Sequence, residues 1–215
     1  NIISHSGPHI AKADINGDHL EDLFICGSGG KSGSIFLQQS TGNFIISPQP
    51  FIRKDSAYED CNAIFLDADN DGDMDLYVVS GGYALPIKDP LLQDRLYIND
   101  KGIFIKKEDA VPLEFDASSK VVSLDFDKDG DLDLFIAGRI IPGKYPLSPG
   151  SRLLVNNGKG FFTDQTLQLA PIFLSLGMVT DAIWADIDGD RINELIVCGE
   201  WMPIQCFSFQ QNVFT

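Results

Sequence analysis

The sequence predicts an all-β protein, a β-propeller of four-stranded antiparallel blades with about four blades in its 215 residues. Three observations carry that prediction. An acidic nine-residue loop occurs four times, at residues 14–22, 67–75, 125–133 and 186–194. The loop starts are 53, 58 and 61 residues apart, too long for a repeating hairpin and right for a four-stranded blade. Each loop also lies between two short apolar runs, so the repeating unit is strand, acidic loop, strand.

The inner strands come first in each unit. Runs at 62–66, 121–124 and 182–185 precede their loops, and runs at 23–27, 76–80, 134–138 and 195–199 follow them. The latter are short, rich in β-branched and aromatic residues, and closed by Gly or Ser, which marks buried strands. The outer half of each unit follows at 33–38 and 42–46, 94–99 and 102–106, 151–156 and 160–163, and 204–208 and 212–214. Alternating polarity, a Gly or Asn turn and an aromatic in each predict a third and a fourth strand. The blades therefore span approximately 8–50, 58–110, 118–167 and 178–215.

The loops carry the chemistry. Asp, Asn or Glu at loop positions 1, 3, 5 and 9, with glycine at position 4 or 6, gathers hard oxygen donors around one point while the backbone turns sharply. Asp, Asn and Gly also dominate ordinary turns, but four copies with one internal spacing point to a calcium site. Magnesium would want fewer carboxylates and more retained water, and zinc would want His or Cys, which the loops lack apart from His19. An EF-hand needs a bidentate Glu at position 12 and a following helix. That position holds Ile25, Val78, Ile136 and Val197, all in strands.

The charge agrees with this reading. Net charge is -15, but 18 of the 31 acidic residues lie in the four loops, and four divalent cations would bring the balance to about -7. An acidic chain of this kind is not expected to bind nucleic acid. No apolar stretch approaches 18 residues, so no membrane-spanning segment is expected. The chain starts at Asn1 without a hydrophobic leader and stops as a strand begins, the pattern expected of a segment of a longer protein. Cys26 and Cys198 share one position in a buried strand, where cysteine serves as a small apolar residue. Cys61 and Cys206 can pair in principle, and sequence does not choose among the three connectivities.

Enzyme motifs do not develop. Residues 26–32 resemble a phosphate-binding loop, yet Ile25 stands where glycine is needed and no helix follows. There is no nucleophile elbow and no His-Glu-x-x-His, and His5, His9 and His19 crowd one end of the chain. Metal ligation accounts for the carboxylate pairs without acid–base chemistry.

The four loops, each entering an apolar strand, resemble the FG-GAP or VCBS-type calcium repeats of integrin-α-like β-propellers. Stretches 133–139, 142–146, 176–181 and 199–203 are similar to the cartilage-acidic-protein-like propeller proteins of bacterial cell surfaces. The resemblance implies a ring of seven blades, the remaining ones coming from the rest of a longer chain. It implies about four calcium ions. The first would be held by Asp14, Asn16, Asp18, Asp22 and the carbonyl of Leu20, the second by Asp67, Asp69, Asp71, Asp75 and the carbonyl of Asp73. The third would use Asp125, Asp127, Asp129, Asp133 and the carbonyl of Asp131, the fourth Asp186, Asp188, Asp190, Glu194 and the carbonyl of Ile192. Asn16 lowers the charge of the first site and Glu194 lengthens a ligand of the fourth, so both are expected to bind more weakly.

If the loops lie on one face, the other connections emerge on the opposite face, where ligands are expected. Its candidates are Arg53, Tyr58, Glu59 and Asp60, then Tyr83 and Lys88, then Arg139, Lys144 and Tyr145, and finally Glu200 and Trp201. Aromatics beside arginines suit sugar rings or peptide side chains. The expectation is a calcium-stabilised, extracytoplasmic module, secreted or on a bacterial cell surface or outer membrane, that binds a protein or glycan without catalysis. The alternatives are a polysaccharide lyase or hydrolase on a calcium-loaded propeller, and a purely structural scaffold.

Overall fold

The computed structural model describes residues 8–215 and is built of β-sheet, as predicted; His5 lies outside the described residues. The first blade comprises β1 (Ile10–Ala13), β2 (Asp22–Ile25), β3 (Ser34–Gln38) and β4 (Phe44–Ser47), antiparallel in sequence order. The second is β5 (Asp60–Leu66), β6 (Asp75–Ser80), β7 (Arg95–Asp100) and β8 (Ile103–Lys106). The third is β9 (Ala117–Leu124), β10 (Asp133–Ile140), β11 (Arg152–Asn156) and β12 (Phe162–Asp164).

The fourth blade has a broken third strand. It contains β13 (Met178–Ala185), β14 (Glu194–Glu200) and β15 (Gln205–Phe207), followed by the hairpin of β16 (Phe209–Gln210) and β17 (Val213–Phe214). Ser208, between β15 and β16, exchanges two backbone hydrogen bonds of 3.1 Å with Thr215. The hairpin thus continues the third strand and begins the fourth.

Short helices that strand periodicity does not reveal link the blades. Helix α1 (Pro50–Lys54) follows the first, with Pro50 at a position where a missing N–H costs nothing. Helix α2 (Thr166–Leu169) and the 3-10 turn Pro171–Ser175 follow the third.

The core lies between blades. Phe24 and Ile35 of the first meet Leu76, Val78, Tyr97 and Phe104 of the second. Tyr77, Val79 and Leu96 meet Val121, Leu134, Ile136 and Leu154 of the third. Phe135 and Leu153 meet Val179, Leu195, Val197 and Phe207 of the fourth, with Phe173 from the 3-10 turn wedged among them. Every residue of β6 is buried, because neighbouring blades cover both faces of that strand.

One repeat position shows what stacking does. Strand pairing makes Phe44, Phe104, Phe162 and Phe214 equivalent. Phe104, Phe162 and Phe214 are buried under the preceding blade, whereas Phe44 is 42% exposed, as are its face neighbours Ile10 at 60% and Ile46 at 66%. The far face of the fourth blade is similarly bare at Ile183, 58% exposed. The described blades therefore stack in sequence order and leave an apolar face at each end.

Candidate metal centres

All four acidic loops adopt one backbone. Positions 4 and 6 are left-handed in each: Gly17 and His19, Asn70 and Gly72, Lys128 and Gly130, Gly189 and Arg191. Glycine occupies one of the two positions and a residue with a side chain bears the other. The position-1 carboxylate accepts backbone N–H groups from the turn: Asp14 from Gly17, Asp18 and His19, Asp67 from Asp71 and Gly72, Asp125 from Asp129 and Gly130, Asp186 from Gly189 and Arg191. The position-5 carboxylate accepts from position 7, at 2.9 Å for Asp18, 3.1 Å for Asp71, 2.9 Å for Asp129 and 2.7 Å for Asp190.

The position-9 acid is buried in every blade, at Asp22, Asp75, Asp133 and Glu194. It closes the loop by accepting the position-2 N–H, at 3.3 Å from Ile15 to Asp22, 3.0 Å from Ala68 to Asp75 and 3.1 Å from Ile187 to Glu194. In the first three blades its second function is to hold the third strand. Asp22 accepts from Gln38 N, Asp75 from Asn99 N and Asp133 from Asn156 N, at 2.8 to 2.9 Å.

The acidic side chains converge in three loops. Ligand oxygens of Asp67, Asp69 and Asp71 lie within 4.8 Å of one another, as do those of Asp125, Asp127 and Asp133, and those of Asp186, Asp188 and Glu194. Asp75, Asp129 and Asp190 are not part of these triads; Asp75 spends its oxygens on Ala68 and Asn99 instead. The first loop forms no such triad because Asn16 stands at position 3, where its carbonyl oxygen accepts Asp18 N at 3.0 Å. Of the four expected carbonyls, those of Leu20, Asp73, Asp131 and Ile192 all sit at position 7, just after the second left-handed residue.

These triads fit a hard cation. Among the described residues, Asp69 Oδ1 and Asp133 Oδ2 of the triads, and Asp73 Oδ1 in the second loop, are buried without a hydrogen-bond donor, a costly state that a cation relieves. Burial, reinforced by loop carboxylates, pushes Asp75 and Asp133 up to about 7 against the N–H groups of Asn99 and Asn156. Burial and Asp71 push Asp73 up to about 6; burial with Asp71 raises Asp69, and burial with Asp129 raises Asp127, above the usual carboxylate range. Asp14 goes the other way: the N–H groups of His19, Gly17 and Asp18 outweigh its desolvation and lower it. An all-oxygen donor set suits calcium or magnesium chemistry and not zinc.

Neighbouring loops are stitched together. Asn99 Nδ2 donates to Ile15 O of the preceding loop at 3.1 Å, and Asn156 Nδ2 to Ala68 O at 2.9 Å. At the equivalent place in the fourth blade, Phe209 packs edge-on against Phe126 of the third loop, ring centres 4.7 Å apart.

On the opposite face the expected ligand residues divide. Glu59, Asp60, Tyr83 and Arg139 line a cavity of about 420 Å³ together with His9 and Ser118. Asp60 is committed to structure: its carboxylate pairs with the buried Arg95 at 2.5 Å and accepts Gly27 N at 2.7 Å, joining two blades. Tyr58 lies under the Arg95 guanidinium, 4.1 Å from its ring centre. Arg53 sits on the last turn of α1, outside the cavity lining. Lys88 and Lys144 are exposed, and Lys88 is left-handed. Arg139 pairs with Glu200 at 2.6 Å. Tyr145 and Trp201 meet through a hydrogen bond from the indole, which sequence adjacency does not reveal. The four cysteines, Cys26, Cys61, Cys198 and Cys206, are all free.

A family sequence model described as an FG-GAP-like repeat matches residues 14–78 and 125–197, which contain all four loops. Two solved structures are similar at 16% identity. One is an Agrocybe aegerita lectin described as recognising non-reducing terminal N-acetylglucosamine, with a TM-score of 0.60 over 98% of this chain and 51% of that one. The other is RAG in complex with one melted and one unmelted RSS, with a TM-score of 0.55 over 97% and 64%. The chain thus spans between half and two thirds of these structures, and at such identity the likeness shows the fold. No curated protein matches.

Proposed function

The chain belongs to the FG-GAP-like repeat family, and from that premise we propose that it is a calcium-stabilised, non-catalytic propeller module that binds a glycan or protein outside the cytosol. The observation that carries the proposal is the repeated loop whose converging carboxylates include buried oxygens without donors. Four ions are held, one per loop, the first and fourth more weakly. In the first loop the backbone is the same, and Asn16 supplies a neutral oxygen in place of a carboxylate.

Calcium, when bound, would offset most of the charge of each triad and fix the link between the two inner strands. The chain's own residues do the rest: position 1 shapes the turn, position 9 ties it to the third strand in the first three blades, and an asparagine stitch ties the first and second loops to the next blade. Loops of this kind suit calcium near millimolar, which supports a location outside the cytosol, on a bacterial surface or secreted. The bare faces at Phe44 and Ile183 are the surfaces that the remaining blades of a longer chain cover.

The loop chemistry is metal ligation, and the face opposite carries cavity and exposed aromatics, the arrangement of a recognition surface. The lectin likeness favours glycan over protein as the first ligand class to test. Calorimetric titration of the chelated protein with calcium is expected to give about four sites. No uptake, or uptake without any effect on stability, removes the proposal.

A further inference from the structure

We propose that Trp201 and Tyr145 form an aromatic platform on which one pyranose ring of a bound glycan stacks; this rests on the glycan-binding reading and names its contact point. Trp201 follows β14 and is 84% exposed. Its indole Nε1–H donates to Tyr145 Oη at 2.8 Å, joining the loop after β10 to the loop after β14. Tyr145 is itself 43% exposed.

Packing does not explain this indole. Its backbone is left-handed at φ 59, a conformation that is an outlier for a bulky residue. A strained residue whose ring covers almost nothing, yet whose one polar atom is pinned, is a ring held in place for something absent. The hydrogen bond leaves both indole faces free of polar demand.

The surroundings specify a sugar. Glu200, the residue before Trp201, pairs with Arg139 at 2.6 Å and is still 39% exposed in its side chain, so an accessible carboxylate adjoins the platform in the chain. A pyranose offers both surfaces at once: a C–H face for the indole and hydroxyls for the ion pair. A nucleobase would also stack, but a chain of net charge -15 repels its phosphates. The hydrogen bond joins a loop of the third blade to a loop of the fourth, so the platform spans two described blades.

The chain has two tryptophans, Trp184 and Trp201. Trp184 packs on Phe214 with a ring separation of 5.9 Å and its Nε1 has no partner among the described residues, so Trp184→Phe keeps the packing and leaves Trp201 as the single indole reporter. That variant is titrated in excess calcium with cellohexaose, chitohexaose and laminarihexaose. At least one is expected to shift the emission to shorter wavelength in a saturable way. In calorimetry Trp201→Ala should weaken that sugar at least roughly tenfold with calcium uptake and melting unchanged, and Tyr145→Phe should weaken it less, because the ring remains and only its anchor is lost. Equal binding by Trp201→Ala overturns the platform and leaves the module reading intact. Failure of all three hexasaccharides also overturns it, and a protein ligand sensitive to Trp201→Ala would replace the sugar as occupant.

Discussion

Arg191 and Gly130 occupy the same left-handed position of their loops, with φ 71 and 101 respectively, and they carry opposite costs. An L side chain there is strained by about 1–2 kcal/mol, while glycine is not but loses more chain entropy on folding. Arg191→Gly is therefore expected to stabilise the protein by about 0.5–1 kcal/mol in urea unfolding with calcium present. Gly130→Ala should destabilise it by about 1–2 kcal/mol; a Cβ at Gly130 meets nothing within 4 Å, so the cost is conformational alone. A loss of stability in the first variant, or none in the second, would refute the strain argument. Asp94 poses a different test. Burial pushes its carboxyl up to about 6, against Arg152 and the Ser80 N–H that it accepts at 2.8 Å. Below about pH 4 both folded and unfolded chains are protonated there; between about 4 and 6 only the unfolded chain ionises, so stability falls as pH rises and the penalty is complete above about 6. Asp94→Asn cannot ionise. The variant's stability relative to wild type should climb across that window and then level off, and a difference that stays flat with pH would exclude the ionisation penalty.

Within an element, the strands and loops were legible because their signals are local. Two-residue alternation, a closing glycine and the one-three-five-nine spacing of acids need no knowledge of neighbours. What joins the elements was not legible. Asn99 and Asn156 look like ordinary strand-ending residues, and their partners Ile15 and Ala68 lie 84 and 88 residues earlier, meeting them only once blades stack. The same holds for Asp60 and Tyr58, whose contacts with Arg95, 35 and 37 residues later, no local pattern reveals. Glycine at position 4 or 6 was visible, but not that both positions are left-handed, since a residue with a side chain hides the second. The stitch makes its own prediction. Asn156→Ala leaves the buried Ala68 carbonyl without the donor it has at 2.9 Å, a loss of about 1–3 kcal/mol. Because Ala68 belongs to the second loop, the same variant should weaken calcium at that loop and not at the fourth. Site-resolved titration in which all loops respond alike, or none does, would separate the stitch from the metal.

At the scale of the whole molecule, the proposed function divides stability between apolar seams and acidic loops, with loops that oppose folding until a cation arrives. Each seam is closed by aromatics and branched residues from two blades, while each triad brings three acidic side chains within 4.8 Å. If free calcium stands about tenfold above each dissociation constant, binding contributes roughly 1.4 kcal/mol per loop, or about 5–6 kcal/mol for four. A chain of this size shifts by about 2–4 °C per kcal/mol, so excess chelator should lower the melting temperature by roughly 10–20 °C. The shift should divide among the loops. Asp67→Asn or Asp125→Asn removes a position-1 ligand from a stronger site and should take a larger share of the calcium-dependent stabilisation than Asp14→Asn, whose loop lacks a triad of acids. Magnesium should restore less than calcium, because it retains water and tolerates the loop geometry less well. An unchanged melting curve in chelator would mean that the seams alone hold the blades together and that the acidic loops serve some end other than stability.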